Sequence, residues 1–219
     1  MLSNLRAPPS VFRDLLASVP RTDWDPWLDL VFGLDVPPDD GPDLPLGCVP
    51  YLPCPADALV RMVEHAGVTA SDIFVDVGAG LGRAAVLTHL LTGASTIGLE
   101  IQRHLVDASR DLTRRLNVSR FAAVEGDAVR LTRYMTIGSV FFFYCPFSGC
   151  RLEQVVDDLE DIARTRRIRI CCVDMPLPPR PWLRLSSRSS VDLAVYRSLP
   201  FGDATAQPPR AGVALQGPQ

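Results

Sequence analysis

The segment Asp76-Val77-Gly78-Ala79-Gly80-Leu81-Gly82 joins an apolar stretch, Ile73 to Val77, to a helical one that begins at Arg83. Glycines at this spacing let a chain turn sharply out of a strand and let its backbone approach a bound molecule closely. The dinucleotide spacing Gly-x-Gly-x-x-Gly would need a glycine at 83, where the chain has Arg83. The pattern is instead Gly-x-Gly-x-Gly, with an acid two residues before it. Two more acids fall at comparable places. Glu100 closes the next apolar stretch, and a carboxylate there can accept hydrogen bonds from both hydroxyls of a ribose. Asp127 follows Gly126 at the end of a third stretch. Its carboxylate can accept from an exocyclic adenine amine, while the Ala128 N–H serves a ring nitrogen. The alternatives are a plain tight turn for the glycines and helix N-caps for the acids.

Residues of this kind act only if regular elements bring them together. Apolar runs at 73–77, 95–100, 120–127, 138–145 and 168–175 predict strands. Helical spacing between them covers 83–91, 102–116 and 151–163, and a further helix, Asp57 to Ala66, is closed by Gly67. Asn117 falls near the end of the 102–116 helix. Residues 183–187 and 191–197 predict a terminal hairpin. Strands alternating with helices imply parallel crossovers, and a run such as Val-Phe-Phe-Phe-Tyr suits a sheet covered on both faces. The expected fold is α/β, a doubly wound Rossmann-like sheet whose ligand lies beyond the carboxyl ends of its strands. Ahead of it, RDLLASVP and DWDPWLDLVFGL predict two short helices, followed by Pro- and Asp-rich connectors. The expected organisation is a helical cap or lid at 1–50, a ligand-binding domain at 51–200 and a flexible tail at 201–219. Trp24, Trp27 and Phe32 offer an apolar cover for a lid, or a static packing surface.

Composition narrows the chemistry. The chain has 219 residues, is 47% hydrophobic and 21% charged, and has a formal net charge of −3. All 22 of its basic residues are arginine, which excludes a lysine Schiff base and a Walker-type phosphate loop. The acidic balance gives no general footprint for nucleic acid. The densest basic run, Arg164, Arg166, Arg167 and Arg169, reads as a solvated helix end. The 6 cysteines form no Cys-x-x-Cys pair and no metal spacing with the three histidines, so neither a metal site nor a disulfide framework is expected. No long apolar run predicts a membrane span and no export signal is visible, so a cytoplasmic monomer or homodimer is expected.

With these motifs in place, the sequence resembles the class I S-adenosylmethionine-dependent methyltransferases over about residues 50–200. Asp-Val-Gly-Ala-Gly-Leu-Gly matches their first motif, Glu100 the ribose acid, Gly126-Asp127-Ala128 the adenine segment, and Val-Phe-Phe-Phe-Tyr-Cys-Pro-Phe the place of the fourth motif. The resemblance implies about seven strands with an antiparallel final hairpin, and S-adenosylmethionine as cofactor. It implies that Asp76 orients the cofactor's amino group or the glycine loop, and that Gly78, Gly80 and Gly82 admit the methionine moiety. Ala79 and Ile101 would lie beside them. Arg83 would meet the carboxylate of that moiety or face solvent. A narrower layout of Tyr-x-Pro, Gly-x-Glu and a late Cys-x-x-Asp-x-Pro is similar to that of the ATP-synthase c-subunit lysine methyltransferases. More distantly it resembles the seven-strand histone lysine enzymes. That layout would place Tyr51 beside the cofactor.

On the acceptor side the chain departs from the Asn/Asp-Pro-Pro-Tyr/Phe of many amine methyltransferases. It has Tyr144-Cys145-Pro146-Phe147, which keeps one proline and the final aromatic but lacks the leading amide or acid. Tyr144 and Phe147 would shape the acceptor pocket, with Tyr144 also touching the cofactor. Asp174, at the end of the fifth strand, would be the general base or a loop cap. The acidic balance leans toward a nitrogen acceptor, a protein lysine or a small amine. The rivals are a natural-product enzyme acting on oxygen or carbon, and a protein that binds the cofactor without catalysis. A protein substrate predicts an open acidic groove at the strand ends, and a small one predicts a closed apolar pocket beneath residues 1–50.

Overall fold

The computed structural model describes residues 8–34, 41, 44–188 and 192–200. Five strands run parallel: β1 (Ile73–Val77), β2 (Ser95–Glu100), β3 (Phe121–Glu125), β4 (Val140–Tyr144) and β5 (Arg169–Val173). A bulged hairpin of β6 (Leu183–Arg188) and β7 (Leu193–Ser198) completes a 7-stranded sheet in the order β3-β2-β1-β4-β5-β7-β6, with β7 antiparallel to β5. The expected strands and the closing hairpin are all present. The tail at 201–219 lies outside the described residues.

The triple phenylalanine of β4 shows why the central strands read as unbroken apolar runs. Successive side chains leave a strand on opposite faces. Phe142 enters the core beneath the first four helices, stacked on Phe74 with ring centroids 5.8 Å apart. Phe141 and Phe143 enter the second core, against the helix that follows β4. Both faces are covered along Val140 to Phe143, and only Tyr144, at the exit, is a polar residue.

The first core is covered by α1 (Pro9–Ala17), α2 (Trp24–Phe32), α3 (Ala56–Ala66) and α4 (Arg83–Thr92), with Leu112 of α5 (Arg103–Arg115). The second is covered by α6 (Ala128–Leu131) and α7 (Cys150–Thr165). Helix α1 starts four residues ahead of the expected Arg13, because Pro9 is preorganised for a first turn and has no N–H to leave unpaired. It also stops short of Pro20. Gly67 closes α3 at φ 64° as its position predicts, and Asn117 takes φ 53° just beyond α5. Helix α6 was not expected, since 4 residues are too few to show a period. Of the two places expected for Trp24, Trp27 and Phe32, the static packing surface is the one seen: Trp24 and Phe32 are buried in the first core, and Trp27 packs on that core against Phe12. The Trp24 indole N–H donates to the carbonyls of Leu16 and Val19 at 3.1 and 3.0 Å, which locks α2 to α1.

At the amino ends of the parallel strands a polar clasp ties three of them together. Asp72, just before β1, accepts from the Thr69 N–H at 2.8 Å and the Ser139 hydroxyl at 2.8 Å, and pairs with the Arg169 guanidinium. Ser139 Oγ in turn accepts the Ile73 N–H at 3.0 Å. Arg169 also donates to the carbonyls of Ala66 and Gly67, at 2.8 and 2.9 Å. The basic run is therefore split. Arg164 is an exposed helix-end residue as expected, but Arg166 donates to the Thr136 and Ile137 carbonyls and Arg169 is structural. Burial alone would push the Asp72 carboxyl up, but the Thr69 N–H, the Ser139 hydroxyl and the Arg169 charge together hold it below its usual value. Asp72→Ala leaves the Arg169 charge uncompensated and should cost about 3 kcal/mol in urea unfolding at neutral pH. A carboxyl depressed in the folded state stabilises above its unfolded pKa, and that contribution is lost as pH falls through the folded value. The gap between wild type and variant should therefore narrow in acid.

Candidate functional site

The strand order reverses between β1 and β4, so their following segments diverge and leave a cleft at the carboxyl edge of the sheet. The glycine turn after β1 forms its floor. The Leu99 carbonyl accepts the N–H groups of both Gly78 and Ala79 at 2.9 Å. Glu100 Oε2 accepts the Gly80 N–H at 2.8 Å, and its Oε1 accepts the Gln102 N–H at 2.8 Å. One carboxylate thus holds the exits of β1 and β2 together. A carboxylate has about four acceptor sites, so Glu100 keeps capacity toward the cleft it lines. Burial pushes its carboxyl up, against the lowering effect of the Gln102 and Gly80 N–H groups.

The glycines meet a steric as well as a conformational need. Gly78 and Gly80 take φ 85° and 52°. A side chain at Gly80 would run into the Tyr51 ring, and one at Gly78 into Pro146. Gly82 differs. It is not among the cleft's lining residues; it precedes α4 at φ 76°, and a side chain there would meet Phe121 and Ser109. Its place at the start of α4 is one of packing and capping, apart from Gly78 and Gly80, which line the cleft.

Asp76 lies beneath this turn, in β1, and lines the cleft while only 3% exposed. Its Oδ2 is buried with no hydrogen-bond partner. Burial first, and then the Glu100 charge, push its carboxyl up to about 7, against the lowering effect of the Ala85 N–H. An unpartnered buried carboxylate oxygen is costly.

The other expected residues sort clearly. Tyr51, Ala79, Ile101, Gly126, Ala128, Tyr144 and Phe147 line the same cleft. Asp127 lines it too, but its Oδ1 caps α6 by accepting the Val129 N–H at 3.0 Å and pairs with Arg151. Asp174 is not a cleft wall among the described residues. It sits at φ 55° with its side chain exposed, its N–H bonded to the Asp192 carbonyl at 2.7 Å, and its own carbonyl accepting from the Cys145 thiol. Of its two expected places, general base or loop cap, this geometry is that of a loop residue, while its charge adds to burial in raising the proton affinity of Tyr144 and Cys145 on the cleft wall.

Two arginines were misread or missed. Arg83 lines the cleft and does not face solvent, and its Nε has no hydrogen-bond partner among the described residues. It is 4% exposed, pairs with Asp25 at 2.8 Å and Asp29 at 3.2 Å, and donates to the Cys54 carbonyl at 2.6 Å. Asp25 also accepts the Ala56 N–H at 2.9 Å, so α2, α3 and α4 meet at one ion pair. Arg151, from the first turn of α7, reaches across to Asp127 and lies over the Phe147 ring, 5.8 Å from its centroid. Nothing in the sequence marks this residue, 24 positions from its partner.

The roof is the segment 44–54. Cys48 forms an antiparallel bridge with Phe147, while the Val49 N–H donates to the Pro146 carbonyl and the Ser148 N–H to the Gly47 carbonyl, both at 3.1 Å. All six cysteines are free thiols, and among the described residues no cluster of three or more metal-ligating side chains occurs. No helix among the described residues is long and apolar enough to cross a membrane.

No protein-family model matches the sequence, and no curated protein matches it. Solved structures match in fold. An RNA methyltransferase from Salinibacter ruber, solved with S-adenosyl-L-homocysteine, is 22% identical with a TM-score of 0.51, covering 73% of this chain and 98% of that one. A candidate methyltransferase of Escherichia coli, yhhF, is 19% identical with a TM-score of 0.53, covering 71% of this chain and 90% of that one. The precorrin-6y C5,15-methyltransferase of Geobacter metallireducens is 12% identical with a TM-score of 0.51, covering 70% of this chain and 93% of that one. The fold is the class I methyltransferase fold.

Asp76 generates a stability prediction. Its folded pKa of about 7 lies above the ordinary 3.8, so between these values the folded chain holds a proton that the unfolded chain has released. Its contribution to stability is therefore full in acid and is lost as pH rises toward neutrality. Urea unfolding of wild type should show this fall, and Asp76→Asn, which cannot ionise, should lack it.

Proposed function

We propose that this protein is an S-adenosylmethionine-dependent methyltransferase. The observation that supports the reading most is the unpartnered Asp76 Oδ2, buried beneath a glycine turn that is itself clamped by Glu100. The cleft has one buried acceptor for a cationic amino group, and a strand-end carboxylate with capacity left for vicinal hydroxyls. Its glycine turn lines the cleft, with Tyr51 and Pro146 packed against Gly80 and Gly78. S-adenosylmethionine has an amino group, a ribose and an adenine to match, and supplies an activated methyl together with its own leaving group.

In this reading Asp76 holds the amino group, Glu100 the ribose hydroxyls, and Gly78, Ala79 and Gly80 the methionine backbone. Gly126, Asp127 and Ala128 face the adenine with Ile101 beside it, and Arg151 steadies Asp127. Tyr51 lies on the glycine turn between cofactor and roof. Tyr144 and Phe147, at the exit of β4, hold the acceptor and keep water away from it. Methyl transfer asks mainly for alignment and exclusion of water, so the lack of an acid–base pair at that exit suits the chemistry. A nitrogen acceptor, in a lysine side chain or a small amine, belongs to the reading if it enters without its proton, since a protonated amine has no lone pair to attack with. The segment 1–50 acts as a cap on the domain 51–200, held to it by Arg83. A purely binding role without turnover would show cofactor affinity but no labelled product with any acceptor.

Calorimetric titration with S-adenosylhomocysteine tests the cofactor site. Glu100→Ala should weaken binding by about tenfold or more while the protein stays folded by circular dichroism. Affinity in wild type should rise with pH through about 7 as Asp76 ionises, and Asp76→Asn should bind weakly with no such dependence. Folded wild-type protein that binds neither S-adenosylmethionine nor S-adenosylhomocysteine would remove the reading.

A further inference from the structure

Arg151 touches three parts of the cleft. Its Nη2 donates to Asp127 Oδ1 beyond the end of β3, and its guanidinium lies over the Phe147 ring, 5.8 Å from the centroid. On the roof it stands beside the Cys48 thiol, and its stem runs along Gly47, where a β-carbon would sit 3.6 Å from Cδ. The side chain is only 17% exposed. A guanidinium packed between a ring and the roof is set in place by those neighbours, so it holds Asp127 and does not merely follow it.

The bonds to Asp127 are one-sided. The Val129 N–H, at 3.0 Å, and Arg151 both donate to Oδ1. The second oxygen, Oδ2, accepts from no described residue. The Val129 bond is local, within the turn that opens α6, and by itself leaves the carboxylate free to rotate. The Arg151 bond comes from a different helix, α7, so the two together fix the plane of the carboxylate and with it the direction of Oδ2. Asp127 lines the cleft, and a carboxylate oxygen with acceptor capacity recognises a donor.

We propose that Arg151 is a positioning residue for base recognition. By holding Asp127 Oδ1 it aims Oδ2 at the exocyclic amine of the cofactor's purine, and so sets the preference of the site for an aminopurine over a purine without that donor. The proposal rests on the methyltransferase reading, which puts the adenine against Asp127. It goes beyond that reading in assigning base selectivity to a side chain on another helix that acts through Asp127.

Calorimetric titration of the full chain with S-adenosylhomocysteine and with its deamino analogue, which carries hydrogen in place of the exocyclic amine, tests it. The ratio of the two affinities reads the contact of the amine alone. Wild type should favour S-adenosylhomocysteine by about tenfold, the effect of a hydrogen bond to a carboxylate. Arg151→Met, which keeps the stem and removes the donors, should bring the ratio below about threefold. Arg151→Gln, too short to reach Asp127, should do the same and serves if the first variant does not fold. Asp127→Asn should abolish the preference, since an amide whose oxygen is held by Val129 and Arg151 turns its NH2 toward the base. Adding Arg151→Met to Asp127→Asn should restore none of it. Parallel weakening of both ligands in the Arg151 variants, with the ratio unchanged, would show a structural role only and overturn the proposal. Equal binding of the two ligands by wild type, or a preference that survives Asp127→Asn, would overturn it as well. Failure of wild type to bind S-adenosylhomocysteine at all would instead remove the cofactor reading, so the two failures are distinct.

Discussion

Glu100 is the constraint on which the site is built. A parallel sheet that reverses order between β1 and β4 opens a cleft wherever the two connections part, but it does not fix the shape of the turn that floors it. Here the turn is fixed by the Glu100 carboxylate and the Leu99 carbonyl, which between them accept the N–H groups of Gly78, Ala79 and Gly80. Those bonds hold two glycines at positive φ, and that backbone leaves no side chain between the turn and Tyr51 or Pro146. The same carboxylate raises the proton affinity of Asp76 beneath it. Two acids that destabilise one another when both are ionised form a site waiting for positive charge.

The second constraint is the Arg83 ion pair. A buried guanidinium must be matched, and it is matched by Asp25 and Asp29 from α2 and by the Cys54 carbonyl that precedes α3. Arg83 is also the first residue after the glycine turn. The N-terminal helices are thus fastened to the element that shapes the cleft, and so is the roof at 44–54: its Cys54 carbonyl is bonded to Arg83, and Cys48 and Val49 pair with the segment after β4.

Much of this was legible in the sequence, for definite reasons. The strands of a doubly covered sheet are unbroken apolar runs, and Phe141, Phe142 and Phe143 could belong to little else. Glycines required at positive φ announce themselves, and Glu100 ends its strand and lines the cleft where its position in the sequence put it. What stayed illegible depended on partners far apart along the chain. Arg83 meets an acid 58 positions away, and Arg151 meets Asp127 across 24. Asp127 was ambiguous for a different reason, because an acid after a strand can cap a helix or bind a ligand, and this one caps while lining the cleft. Asp174 looked well placed because strand ends carry function, but φ 55° turns its peptide to bond Asp192 and its side chain to water. Gly82 shared the spacing of its neighbours and not their purpose.

The two edges of the sheet divide the work. At the amino edge, Asp72, Ser139 and Arg169 saturate one another, and Arg120 and Arg166 close loop carbonyls with their guanidinium groups. At the carboxyl edge lie the positive-φ residues Gly78, Gly80, Cys145 and Asp174, the orphan oxygen of Asp76, and carboxyls pushed up by burial. Each of these costs folding free energy, and none improves the packing of the sheet. A chain under selection for stability alone would replace Asp76 with a hydrophobe of similar size, since it faces a core position in the middle of a buried strand. Other unpartnered polar atoms and the positive φ of Asn117 occur elsewhere, but only along the exits of β1, β2, β3 and β4 do such groups gather, among the described residues, on the walls of one cleft.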